Sequence, residues 1–138
     1  MRPIATLALL TLALQATAQT QGLFRFPSTH GDRVVFSCEG DLWEAPLAGG
    51  EARRLTSAPG KEQHATYSAD GKWIAFTADY DGSSDVYVMP ARGGEPRRLT
   101  WSTDAERVIG WDHEGRVLFR SRGELPFGMW TAWRVAPA

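Results

Sequence analysis

The chain has 138 residues, enough for one domain. Its 15 basic and 16 acidic residues nearly cancel, which argues against a nucleic-acid-binding surface and against an acidic solvating tail. With 43% hydrophobic and 22% charged residues the composition is that of a globular protein, and 6 Trp, 14 Gly and 8 Pro point to an all-β fold with frequent turns.

The first segment reads as a targeting signal. Met1-Arg2-Pro3 is a short positive start, Ile4–Leu14 is almost wholly apolar, and Ala16-Thr17-Ala18 is a small-x-small cleavage site. This predicts a signal peptide over residues 1–18, cleavage after Ala18, and a periplasmic or secreted mature chain from Gln19. The apolar run is shorter than the roughly 20 residues that span a bilayer. No cysteine follows the cleavage site directly, which argues against a lipoprotein anchor. Cys38, the sole cysteine, allows no internal disulfide, so packing must hold the fold together.

The remainder, 19–138, contains a repeat. Ser28–Phe36 and Ser68–Phe76 match with Gly31 and Gly71 in register, 40 residues apart. Asp41–Pro46 and Asp85–Pro90 match at a shift of 44, as do Gly49–Thr56 and Gly93–Thr100. The four extra residues fall in one hairpin loop, where Cys38-Glu39-Gly40 becomes Ala78–Ser84. A third copy begins at Trp111–Phe119. It continues to Trp133–Pro137 through a long loop with Pro126 and Gly128. Aligning Pro137 with Pro90 puts Arg134 where Trp43 and Tyr87 stand; a shift of one residue puts Trp133 there.

Each copy reads as four short strands, in the second His64–Ser68, Trp73–Ala78, Asp85–Met89 and Pro96–Thr100. Asp70-Gly71 and Gly93-Gly94 supply the positive φ that tight turns need. Trp73, Ala75 and Thr77 alternate with Ile74, Phe76 and Ala78, so both faces of this strand should be covered. A four-stranded unit of roughly 40–45 residues is the period of a β-propeller blade. The expected fold is a partial β-propeller with blades at about 23–57, 63–101 and 107–138. Two blades are complete and the third lacks its last strand. Propellers close with about four to eight blades, so the terminal faces should be partly bare and prone to self-association.

The segments His30–Glu44, Ser68–Phe76 and Asp85–Pro90 resemble the opening of the tricorn protease family. The Asp-Gly-Lys-Trp-Ile-Ala-Phe element is shared with TolB-like and other WD40-like (PD40) propellers. The resemblance implies the first half of a six-bladed propeller from a large serine peptidase of oligopeptides. The nucleophile and histidine of that family lie in later domains, so it implies no catalytic residue here. It places Glu106-Arg107 between the second and third blades, where family members carry basic residues near the peptide-binding end. Arg107 is therefore the candidate for holding a peptide carboxylate.

The other chemical features have plainer readings. No Gly-x-Ser-x-Gly elbow occurs. His30, His64 and His113 are far apart and none pairs at zinc spacing, so neither a metal nor another cofactor is expected. Asp79, Asp81 and Asp85 surround Gly82 and could attract a cation, but they lack EF-hand spacing and suit a polar hairpin loop. Arg53-Arg54 and Arg97-Arg98 recur at one position of two blades, as a basic stripe or as packing residues. The expected role is to guide or gate peptides toward a catalytic domain in the remainder of a peptidase. A TolB-like protein-binding scaffold and an inactive truncated fragment are the alternatives.

Overall fold

The computed structural model describes residues 23–122 and 129–137. The signal-peptide reading of residues 1–18 and the loop residues Pro126 and Gly128 lie outside this set. The described residues form eleven strands in three antiparallel sheets. The first holds β1 (Arg25–His30), β2 (Arg33–Cys38), β3 (Asp41–Pro46) and β4 (Arg53–Arg54). The second holds β5 (Glu62–Tyr67), β6 (Trp73–Ala78), β7 (Asp85–Pro90) and β8 (Arg97–Arg98). The third holds β9 (Arg107–Trp111), β10 (Val117–Ser121) and β11 (Thr131–Val135). Each sheet runs in chain order from its first strand outward, and β1, β5 and β9 lie side by side. This is a partial β-propeller, two complete blades and a third of three strands.

The hairpins obey their turn chemistry. Asp70 and Ser68 clamp one turn: the Ser68 hydroxyl donates to Asp70 Oδ1 at 2.7 Å, and the Trp73 amide donates to Ser68 Oγ at 3.0 Å. Gly71 sits there at φ +68°, and a Cβ on it would come within 2.3 Å of His30 Nε2 in the neighbouring blade. Glycine is thus required twice over, for conformation and for close approach.

The strand alternation sorts the core into two layers. Ile74, Phe76 and Ala78 face the first blade and pack with Val35, Leu42, Tyr67 and Tyr87. Ala75 faces the third blade and packs with Val86, Val108, Val117 and Phe119. Both faces of β6 are covered, as the alternation predicted. The third blade resolves its open register. Trp133 pairs with Phe119, as Trp43 pairs with Phe36 and Tyr87 with Phe76. Aligning the two prolines misplaces this strand by one residue. The outer strands are shorter than predicted, two residues each at Arg53–Arg54 and Arg97–Arg98.

The same polar latch closes both seams between blades. In the first, Thr56 Oγ1 accepts from the Leu42 amide at 2.9 Å and donates to the buried Glu62 carboxylate. In the second, Thr100 Oγ1 accepts from the Val86 amide at 2.9 Å and donates to Glu106. The backbone repeats with it: Glu62 donates its amide to the Gly40 carbonyl at 2.8 Å, and Glu106 to that of Ser84 at 2.7 Å. Burial pushes both carboxyls above the usual range, although hydrogen bonds to each oppose that shift.

Candidate functional site

The second arginine of each basic pair on β4 and β8 is held by its own blade, and the first reaches the next blade. Arg54 pairs with Asp41 and Arg98 with Asp85, each at 2.6 Å. Arg53 reaches Glu44 at 2.9 Å and the Arg92 carbonyl of the next blade at 2.8 Å. Arg97 donates to the Pro137 carbonyl in the same manner. Burial alone would raise the Glu44 carboxyl, but hydrogen bonds from Arg53, Tyr67 and Arg33 hold it below the usual range. The repeated arginines therefore lock strands and bridge blades.

The aspartates of the enlarged loop are likewise committed. Asp79 accepts from the Lys61 amide, and Asp81 pairs with Arg98 at 2.9 Å. Asp85 is fully buried and accepts from Arg98, the Ser83 hydroxyl and the Ser102 amide. Among the described residues, no group of three or more His, Cys, Asp or Glu converges as a metal site would. Cys38 is half-buried at the end of β2, opposite Asp41.

Arg107 has a different environment. It opens β9 and lines a concavity of about 490 Å³ formed along β1, β5 and β9, with Phe26, Ser28, His64, Thr66 and Arg120. Two irregularities shape this hollow. The pairing of β1 with β2 slips between Arg25 and Ser28, and that of β5 with β6 between Gln63 and Thr66. At these equivalent bulges Phe26 and His64 adopt φ values of +52° and +55°. A non-glycine residue there costs roughly 1–3 kcal/mol, and such strain gathers at functional sites. The bulges bring the two rings together, with centroids 4.0 Å apart.

The electrostatics of the hollow are one-sided. Its lining includes Arg107, Arg120 and His64 but no carboxylate. Burial, and to a lesser extent the positive charges of Arg107 and Arg120, together lower the His64 imidazole from 6.5 to about 4, so it is neutral at pH 7. The Arg120 guanidinium lies over the Trp130 ring, 4.7 Å from its centroid. Its Nε and the Nε2 of His64 are buried without a hydrogen-bond partner. The sequence singled out Arg107 alone. His64 and Arg120 carry no local signature, because they meet Arg107 only when neighbouring blades stack.

Comparison with known proteins agrees with this architecture. Tricorn protease homolog 1 of Streptomyces coelicolor is 43% identical over 95 residues, covering 68% of this chain and 9% of that protein. The crystal structure of the tricorn protease superposes with a TM-score of 0.73 at 28% identity, over 84% of this chain and 13% of that one. TolB from Acinetobacter baumannii shares the fold, with a TM-score of 0.63 at 22% identity over 78% of this chain and 28% of its own. The chain thus spans about a tenth of the length of these two tricorn relatives. Residues 21–138 match the family described as the tricorn protease N-terminal β-propeller domain, and the chain belongs to that family.

Proposed function

We propose that this chain is a propeller portion of an exported tricorn-like serine peptidase, and that it guides peptides toward a catalytic domain elsewhere in that enzyme. The supporting observation is the hollow along β1, β5 and β9, where Arg107 stands without an acidic partner among the described residues. A guanidinium so placed suits a peptide carboxylate, which it can meet with two parallel hydrogen bonds. The chemistry of bond cleavage is assigned to the remainder of the enzyme.

The test compares the chain with the full-length enzyme that carries it. The chain alone is expected to hydrolyse no peptide; robust hydrolysis by it overturns the accessory role. In the full-length enzyme, Arg107→Gln should raise KM for peptides with a free C-terminus and leave amidated peptides unchanged. An equal effect on both removes Arg107 from peptide recognition. Export is tested by N-terminal sequencing of the mature protein, with Gln19 expected as the first residue.

A further inference from the structure

The two seams share one latch but equip it differently. In the first, the Glu62 carboxylate meets three donors, the Leu42 amide at 3.0 Å and the Thr56 and Tyr80 hydroxyls. A second buried carboxylate, Glu44, crosses the same seam to accept from the Tyr67 hydroxyl at 2.8 Å. In the second seam the Glu106 side chain is equally buried, at 6% exposure, but Thr100 is the one donor to it among the described residues. Its Oε2 is buried without a hydrogen-bond partner. Val88 lies across from Ala75 as Glu44 lies across from Val35, so no buried acid repeats the Glu44 contact there.

The charges around Glu106 make this shortage matter. Asp85 of β7, Arg98 of β8 and Asp104 of the segment before β9 act on it. Arg98 is already committed, to Asp81 at 2.9 Å, Asp85 at 2.6 Å and the Thr100 carbonyl at 2.8 Å. His64 of β5, Arg107 of β9 and Arg120 of β10 line the inner hollow instead. While Glu106 keeps its proton, a neutral group stands near the buried Asp85. Losing the proton adds a second negative charge with one hydroxyl to meet it. A buried charge without partners costs far more than a neutral polar group. Burial accordingly holds the Glu106 carboxyl above the usual range; Asp85 and Asp104 add to this, and Thr100 and Arg98 oppose it.

We propose that the seam between the second and third blades is a pH-responsive hinge, closed while Glu106 keeps its proton and loosened when the carboxyl ionises, whereas the first seam stays shut over the same range. Two bonds tie the start of β9 to the second blade: the Glu106 amide donates to the Ser84 carbonyl at 2.7 Å, and the Val108 amide to Thr77 Oγ1 at 2.9 Å. Water that enters to solvate the carboxylate must part the two blades at these bonds. The sign follows from the raised folded value: the stabilisation is present at acid pH and is lost as pH rises through that value. Glu62 has the same sign, but its three donors remain with the carboxylate after ionisation, so the first seam holds its charge without opening. The hinge does not depend on what the inner hollow binds.

Amide hydrogen exchange on the full chain tests this, followed by NMR from about pH 5 to about pH 8 and corrected for the intrinsic pH dependence of exchange. Protection of the Glu106 and Val108 amides should fall about tenfold or more across that range, and that of the Glu62 amide by less than about threefold. Glu106→Gln keeps the shape and removes the charge, so both second-seam amides should be as protected at the upper pH as at the lower. Where circular dichroism shows that the glutamine variant does not fold, Glu106→Leu makes the same comparison with no polar group in the seam. Glu62→Gln should leave the pH dependence at Glu106 and Val108 in place. Constant protection at the second seam, an equal loss at the Glu62 amide, or a pH dependence that survives substitution of Glu106 overturns the hinge.

Discussion

The second blade and the first differ in how their faces are covered. In the second, Ile74, Phe76 and Ala75 are fully buried, because neighbours pack on both sides of β6. In the first, Val35 is fully buried against the second blade, whereas Phe36 on the opposite side is only partly covered, chiefly by Phe24 at a centroid distance of 5.1 Å. Phe24 is itself 63% exposed. The open side forms an apolar hollow of about 410 Å³ with Phe24, Pro27, Val34, Phe36 and Ala45. One strand pattern therefore yields two environments, and stacking decides which side chains carry stability.

The largest expected effect follows directly. Phe76→Ala should cost about 3–5 kcal/mol in urea unfolding, because it empties a packed seam. Phe36→Ala removes the same ring from a half-open face and should cost under about 2 kcal/mol. Equal losses would mean that the open face is covered in solution and would break the comparison.

The ion pairs sharpen it further. Asp85 is fully buried and the Arg98 side chain is 22% exposed, whereas that of Arg54 beside Asp41 is 49% exposed. Asp85→Ala should therefore destabilise by about 1–3 kcal/mol, and Asp41→Ala by less. Similar costs for both would show that solvent reaches the two pairs alike.

Acid dependence separates the seams from the inner hollow. His64 falls from 6.5 to about 4 on folding, so its neutral form is favoured in the folded state. Its contribution is present above pH 6.5 and is lost as pH falls toward 4. Glu44, held low, likewise contributes at neutral pH and loses its contribution as pH falls through its depressed folded value. Glu62 and Glu106 have the opposite sign: their raised folded values favour acid pH, and the contribution fades as pH rises through them. His64→Phe should flatten the stability profile between pH 6.5 and 4, measured by thermal unfolding across buffers. An unchanged profile would mean that His64 is solvated.

The smallest expected effect is on association. The isolated chain should self-associate through its open faces, and Phe36→Ser should weaken this a few-fold in sedimentation equilibrium. A monomeric wild-type chain would remove that expectation.

Much of the fold was legible because its signals are local. The recurrence of Gly31 and Gly71 marks turns that need positive φ, and β6 shows its two faces by alternation alone. The third blade was less legible. Phe119 lies four residues after Gly115, whereas Phe76 lies five after Gly71, so register passed from the turn glycine to the cross-strand partner. The candidate site was legible only at Arg107. By itself the sequence determined the repeat, the turns and the buried faces, since strand period and glycine conformation depend on neighbours along the chain. Only the tertiary structure decided which charges are matched. Strand pairing within each sheet carries Arg54 and Arg98 onto aspartates, and stacking brings Arg107, Arg120 and His64 together across two blades with no acid among the described lining residues.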